Sequence, residues 1–360
     1  MLATTCFGQT YSDARKLTDD GNYTAANQIW QELSDSGNSE AMNRLAYNYE
    51  HGRGIEANIG KSFQLYLESA ESGNVYGQFR VGYFYDTGRG VEENKAEAIR
   101  WYQTAADANN VGAISNLAYI YRTGDGVPRD YETALALDRR GAEMGWKRSI
   151  TNLGYSYEHG LGVEVDAHRA FTLYLESAKM GESVAQNNLG LAYRHGRGVA
   201  RNLEEALYWL ELSAESGEDT AQFYTGESYE RGEGTEVDLL RAAYWYEQSA
   251  EQGILEAQLK VGEIFSNRES DLRDDIKAER WYLAAARQGE ADAFSGLAGL
   301  YEYPQNTEQD LVRAYMWYQM VAGPVGWMQR MKLRPLLTPE EIARAEVMAV
   351  TCQESGYFDC

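Results

Sequence analysis

Residues 189–217 read LGLAYRHGRGVARNLEEALYWLELSAESG and contain one complete copy of a pattern that recurs every 36 residues. In this copy Asn202 precedes Ala206 and Trp209, and Gly217 ends the stretch. Steps of 36 from Asn202 always reach Asn or Asp: Asn58, Asn94, Asp130, Asp166, Asn202, Asp238, Asp274 and Asp310. The same steps from Ala206 reach alanine or, once, serine, and those from Trp209 reach Trp or Leu. A fixed period of this length is the signature of a repeat protein.

Each copy predicts a pair of helices, A and B. Asn and Asp are strong N-caps because their side-chain oxygen accepts a hydrogen bond from the first turn, so helix B begins after each Asx residue. Helix A precedes it and carries an apolar core residue, followed four residues later by an aromatic one on the same face. These core positions are Leu45, Val81, Leu117, Leu153, Leu189, Val261 and Leu297, with Thr225 in the remaining unit. A Gly-x-Gly turn such as that of Gly196 and Gly198 joins A to B, because glycine takes the positive φ that the turn needs.

Three places depart from the pattern. The turn glycines of the seventh unit are replaced by Arg268 and Ser270, and those of the eighth unit by Pro304 and Asn306. We expect other turn conformations at both places. Asn109 replaces the glycine that follows helix B elsewhere, and asparagine also tolerates the left-handed conformation of a helix C-terminus.

Both ends of the array carry partial matches that we interpret as caps. Trp30 and Gly37 lie 36 residues before Tyr66 and Gly73. The segment TPEE at 338–341 combines an N-cap threonine, a proline at the first helical position and a capping-box glutamate, so it predicts a last helix over 339–352. The predicted organisation is N-terminal capping helices over 1–38, eight repeats over 39–326, and a C-terminal capping helix and tail over 327–360.

The repeated motif resembles a known family. The pattern Ala-x-x-x-Leu-Gly-x-x-Tyr-x-x-Gly-x-Gly-Val, followed by Asx, Ala-x-x-Trp-Tyr and a closing Ala and Gly, is similar to the Sel1-like repeat, a relative of the tetratricopeptide repeat. The resemblance implies an all-α fold, a right-handed α-α superhelix (solenoid) of about eight 36-residue helix-turn-helix units with a concave groove lined by the A helices. It also implies a bacterial adaptor or regulator of other proteins, and hence a non-catalytic scaffold.

Charge and composition exclude several functions. The net charge of −22 and pI of about 4.6 disfavour nucleic acid and anionic membrane surfaces as partners, and no run of 18 apolar residues predicts membrane insertion. His51, His159 and His195 occupy one position in different repeats, so they cannot share a metal ion. The Gly-x-Gly turns lack the strand and the lysine of a phosphate loop. We predict no catalytic residue, metal or cofactor, although a weak hydrolase using paired carboxylates stays open.

The candidate binding surface is the groove face of the A helices. By analogy with tetratricopeptide repeats, the residue two positions after the core residue points into the groove, and four consecutive repeats carry tyrosine there. The candidate partner-binding residues are Asn43, Tyr47, Phe79, Tyr83, Tyr119, Tyr155, Asn187 and Arg194. Tyrosine is favoured at interfaces, so we expect a protein or peptide partner. The alternatives are tyrosine rings that only pack on neighbouring A helices, a glycan or cell-wall binder, and a structural spacer in a larger assembly.

The three cysteines, Cys6, Cys352 and Cys360, lie outside the repeats. The end of the chain is similar to the ends of exported bacterial Sel1-like regulators, and this resemblance implies a disulfide between Cys352 and Cys360 and a periplasmic or otherwise exported protein. Free thiols in a reducing cytoplasm are the alternative. The first residues lack the basic and apolar segments of an export signal, so we expect such a signal to be missing from this sequence. A monomer is the expected state.

Overall fold

The computed structural model describes residues 7–305, 308–358 and 360, and Cys6 and Asn306 lie outside these ranges. Within them all regular secondary structure is helical. The chain forms two compact units, Met1–Ser177 and Ala178–Cys360. The first contains α1 (Phe7–Asp19), α2 (Tyr23–Asp35), α3 (Ser39–His51), α4 (Ile59–Glu71), α5 (Val75–Thr87), α6 (Lys95–Asp107), α7 (Val111–Thr123), α8 (Tyr131–Glu143), α9 (Lys147–His159) and most of α10 (Ala167–Lys179).

The second unit continues the same alternation. It contains α11 (Ser183–His195), α12 (Leu203–Glu215), α13 (Asp219–Arg231), α14 (Leu239–Glu251), α15 (Leu255–Ser266), α16 (Asp275–Arg287), α17 (Ala291–Glu302), α18 (Leu311–Met320), α19 (Gly323–Leu333) and α20 (Pro339–Glu354). The odd-numbered helices from α3 to α17 are the A helices, and the even-numbered helices from α4 to α18 are the B helices. Within each unit, helices adjacent in the chain pack side by side. The predicted all-α solenoid is therefore confirmed.

The B helices begin where the Asx register predicts. In all eight repeats the Asx side chain accepts a hydrogen bond from the backbone N–H three residues later, at 2.9–3.2 Å. The structure adds a ninth member, because Asn22, which lies 36 residues before Asn58, caps α2 through the N–H of Ala25. This cap extends the register into the segment that we interpreted as an N-terminal cap.

The turns after the A helices show why glycine recurs. Gly196 ends α11 with φ of 70°, in the left-handed region. After helix B of the second repeat, Asn109 takes φ of 63° in the place of a glycine. Where the glycines are replaced, the helix ends change: α15 ends at extended Asn267 with φ of −67°, and α17 ends at Tyr303 with φ of −141°. The expected change of turn conformation is confirmed in the seventh unit and, as far as the eighth turn is described, in that unit too.

A glycine–tyrosine contact joins helix A to helix B in several repeats. The small residue after the core position lies against a tyrosine ring of helix B, and a Cβ at Gly82 or Gly226 would come within 2.6 or 2.8 Å of Tyr102 or Tyr246. These tyrosines are fully buried. Their hydroxyls reach a carboxylate near the end of the A helix, as in the bond of 2.7 Å from Tyr246 to Glu230. Each contact therefore closes the apolar core and satisfies its one polar atom.

The C-terminal end contains one helix that the sequence did not predict. Helix α19 spans 323–333, so the predicted boundary between 326 and 327 falls inside it. Its buried Leu333 lies 36 residues after Leu297, which puts α19 in the register of an A helix. Helix α20 begins with the expected capping box at Thr338 and runs to 354, two residues beyond the prediction. A disulfide joins Cys352 to Cys360.

Candidate functional site

A cavity of about 480 Å³ opens in the first unit between the third and fourth repeats. Helix α7 supplies Tyr119 and Arg122, the following turn and the start of α8 supply Arg129 and Tyr131, and α9 supplies Asn152 and Tyr155. We call this site the Tyr119 cavity. Two of the predicted groove residues, Tyr119 and Tyr155, therefore line the same cavity. They are 56% and 40% exposed, so both rings are available for contact with a ligand.

The inner wall of the Tyr119 cavity is held by a buried carboxylate. Asp138 on α8 has no solvent exposure, and it accepts hydrogen bonds from Arg122 at 3.0 Å and from Asn152 at 3.1 Å. Burial raises the pKa of Asp138 to about 6, although the Arg122 charge and the two hydrogen bonds oppose this shift. Asp138 thus fixes two side chains of the cavity wall from behind.

The Arg122–Asp138 pair replaces a pattern found in other repeats. At the same two positions, other units place a carboxylate at the end of helix A and a tyrosine on helix B, as in Glu158 with Tyr174 and Glu302 with Tyr318. In the third repeat the A-helix position carries a cation, and the B-helix position carries the carboxylate. The swap puts a positive side chain on the cavity wall where most other repeats have a negative one.

The outer wall of the cavity carries Arg129. Its Nε and Nη2 atoms donate hydrogen bonds to the carbonyl oxygen of Thr123, at 3.4 Å and 3.3 Å. Its Nη1 atom donates a hydrogen bond to the Tyr131 hydroxyl at 3.2 Å. Across 7–305, 308–358 and 360, it forms no ion pair with a carboxylate. His159 also lines the cavity, with its ring centroid 4.1 Å from that of Tyr155. None of the lining residues is Asp or Glu.

A second cavity of about 360 Å³ contains two further predicted residues, Asn43 and Tyr47. The Asn43 amide nitrogen donates to Oδ1 of Asn74 at 2.9 Å, and Asn74 also caps α5. Tyr47 stacks on His51 with 4.1 Å between ring centroids. Asn43 is buried, and its hydrogen bond links two consecutive A helices, so it has a structural contact of its own.

Phe79 and Tyr83 line neither of these cavities. Both are half-buried. Phe79 lies 6.0 Å from the ring of Tyr102, and the guanidinium of Arg80 lies 5.5 Å from the ring of Tyr83. The Phe79 contact with α6 fits the alternative interpretation, in which groove-side rings pack on neighbouring helices, whereas Arg80 and Tyr83 lie on the same helix.

The last two predicted residues, Asn187 and Arg194, are buried in the second unit. Arg194 pairs with Glu227 at 2.7 Å and with Glu233 at 2.8 Å, and its guanidinium lies 5.2 Å from the Tyr224 ring. Its charge is therefore compensated inside the protein.

Several lining residues of the Tyr119 cavity, above all Arg129, Tyr131 and Asn152, were not predicted from the sequence. These residues lie at positions where the repeats do not share one residue type. A signal was nevertheless present in the register, because Arg122 and Asp138 stand 36 residues from Asp86 and Tyr102. A simultaneous exchange at two positions that are hydrogen-bonded to each other in several other repeats indicates a specialised unit.

Two features absent from the described residues bear on other functions. No helix in the described ranges is long and apolar enough to cross a membrane. The same residues include no group of three or more His, Cys, Asp or Glu side chains placed to hold a metal ion. The predicted absence of a cofactor and of a catalytic residue stays a prediction.

Comparison with known proteins identifies the repeats. The family described as "Sel1 repeat" matches residues 39–74, 75–110, 111–146, 148–182, 183–218, 219–254, 255–290 and 293–322. No curated protein matches the chain.

Two solved bacterial structures are similar. A Sel1 repeat protein from Oxalobacter formigenes is 31% identical, with a TM-score of 0.63, over 67% of this chain and 96% of that chain. A protective antigen present in uropathogenic Escherichia coli strains is 26% identical, with a TM-score of 0.59, over 97% of this chain and 85% of that chain. With eight consecutive matches across most of its length, the chain belongs to the Sel1 repeat family.

Proposed function

We propose that this chain is a non-catalytic scaffold that binds an extended peptide segment of a partner protein at the Tyr119 cavity. Sel1 repeat proteins are generally scaffolds for protein interactions and are typically non-enzymatic. The observation that carries the proposal is the pair of exposed tyrosines, Tyr119 and Tyr155, at equivalent positions of consecutive A helices on one cavity.

The chemistry of the cavity suits a peptide. Tyrosine offers a large rigid contact surface with one polar atom, and it is enriched among residues that dominate binding energy. Asn152 and Arg129 add hydrogen-bond donors at the same opening, and such donors fix the direction of a backbone. A volume of about 480 Å³ accepts one or two side chains, while the rest of the segment lies along the helices.

The test is selection of random peptides on the immobilised full chain, followed by affinity measurements on the selected sequences. The double variant Tyr119→Ala/Tyr155→Ala is expected to weaken binding at least tenfold, because each truncated contact tyrosine costs on the order of 1 kcal/mol or more. The matched control is Tyr208→Ala/Tyr244→Ala, which removes two tyrosines that are each 54% exposed on B helices of the second unit.

Several results would contradict the proposal. Peptides that bind the double variant as well as they bind the unmodified chain would move the site elsewhere. Failure to enrich any peptide, with binding on a parallel array of glycans and muropeptides, would favour the cell-wall alternative. Absence of binding both in the peptide selection and on the glycan and muropeptide array would favour the structural spacer. Circular dichroism and melting of both double variants check that helicity is unchanged.

We also infer that the chain works in an oxidising compartment such as the periplasm. Disulfides persist in such compartments and are rare in a reducing cytoplasm, and the Cys352–Cys360 bridge supports this inference. The protein isolated from its native cells without reductant is expected to have a C-terminal peptide lighter by two hydrogen atoms than the reduced peptide. A fully reduced peptide in alkylated extracts would contradict the inference.

A further inference from the structure

We propose that the Tyr119 cavity selects acidic segments, by pairing a carboxylate side chain of the bound peptide with Arg129. This inference rests on the proposed function, since it names the chemistry of the peptide that the same cavity binds. It goes beyond that function because a scaffold groove lined by tyrosine needs no preference for charge.

The first support is the local charge of the cavity. The whole chain has 55 acidic and 33 basic residues, so an average patch of surface is negative. The cavity lining instead contains Arg129 and His159, together with Arg122, whose charge is paired with Asp138 behind the wall, and it contains no carboxylate. A carboxylate approaching this protein therefore meets a favourable potential at the cavity and an unfavourable one over most of the remaining surface.

The second support is the state of the Arg129 guanidinium. Two carboxylates near it in sequence are already engaged, since Asp125 pairs with Lys95 at 2.8 Å and Asp130 caps α8. Three of its five N–H groups donate hydrogen bonds to Thr123 and Tyr131. One N–H group on each terminal nitrogen is therefore left to bind a ligand. A positioned guanidinium with two free donors is suited to a carboxylate.

The third support is the exchange at Arg122 and Asp138. In five of the other seven repeats, the residue equivalent to Arg122 is a carboxylate, as at Glu158 and Glu230, and it would repel an acidic ligand. The other arginine at this position, Arg194, is neutralised by Glu227 and Glu233. The third repeat therefore has no carboxylate at this A-helix position, as is also true of the fifth repeat and, with Ser266, of the seventh. In the third repeat the same cavity also carries Arg129.

The experiment compares three fluorescein-labelled decapeptides, (Glu-Ala)₅, (Gln-Ala)₅ and (Lys-Ala)₅, by fluorescence polarisation with the full chain. The Glu probe is expected to bind at least fivefold more tightly than the Gln probe. Arg129→Gln should remove that difference, and Arg129→Glu should reverse it in favour of the Lys probe. The matched control is Arg201→Gln, because Arg201 occupies the same repeat position 72 residues later and contacts the Arg194 carbonyl instead.

The outcomes separate the two proposals. Equal affinity of the Glu and Gln probes, or a charge preference that survives Arg129→Gln, overturns the selection for acid while leaving a peptide-binding scaffold in place. If none of the probes binds, the selected random peptides decide: enrichment in Asp and Glu that depends on Arg129 supports the inference, and its absence overturns it. Loss of all peptide selection would instead overturn the proposed function itself.

Discussion

Asp138 is the residue whose environment differs most from that of its equivalents. Six of the other seven repeats place a buried tyrosine there, and the fifth places Leu210. A tyrosine such as Tyr246 satisfies its hydroxyl with one hydrogen bond. Asp138 instead buries a carboxylate between α7 and α9, where Arg122 and Asn152 are the groups that contact it. The charged carboxylate loses the hydration that it has in the unfolded chain. This loss raises the pKa of Asp138.

The protein should therefore gain stability through Asp138 as the pH falls. The folded pKa of about 6 lies above the ordinary value of 3.8, so the folded state binds the proton first, and this contribution is lost as the pH rises through 6. Relative to Asp138→Asn, the unmodified chain is expected to gain about 1 kcal/mol between pH 7 and pH 5. Urea midpoints of both proteins at several pH values measure the difference. Parallel pH profiles would show that Asp138 does not titrate in this range.

At the scale of the element, the N-cap of helix B is the feature with the clearest local cause. Asn202 accepts hydrogen bonds from the N–H groups of Glu204 at 3.1 Å and Glu205 at 3.2 Å. Asn202→Ala is expected to cost about 1 kcal/mol, because two orphan donors lose their acceptor. Amide hydrogen exchange in the first turn of α12 should accelerate.

Asn202→Asp is the matched control for the cap. It keeps the accepting oxygen and adds a negative charge at a helix N-terminus, which is favourable, so exchange in the first turn should be as slow as in the unmodified chain or slower. Unchanged exchange in Asn202→Ala would mean that packing against neighbouring helices, not the cap, determines where α12 begins.

Some helices and turns could be predicted from the sequence, and others could not. The B helices were predictable because one capping residue recurs eight times, and the A–B turns because glycine is needed where φ is positive. Helix α19 was missed because Arg334, the residue after its last one, stands where other A helices have the small residue that follows the core leucine. The asparagine caps of the first A helices, at Asn38, Asn74 and Asn110, were also missed, because later repeats lack them.

At the scale of the whole molecule, the fold followed from agreement among many local signals, whereas the candidate site did not. Periodic signals repeat, so errors at single positions leave the architecture unchanged. A cavity depends on side chains from three helices at positions that differ among repeats, as Arg129 and Asn152 do. Of the eight predicted groove residues, Tyr119 and Tyr155 lie on one cavity and Asn43 and Tyr47 on another, while Asn187 and Arg194 are buried in the second unit. Position in the repeat alone could not separate these environments.

The glycine–tyrosine contact has a consequence for how such a chain changes over generations. Because Gly82 and Tyr102 meet in the same way as Gly226 and Tyr246, recombination between gene segments that encode different repeats joins surfaces that already fit. Gain or loss of a whole 36-residue repeat preserves these contacts, because both partners lie in the same repeat. An insertion of another length between the two partners disrupts the contact. The third repeat, with Arg122 and Asp138 exchanged together, can then be inherited as one cassette.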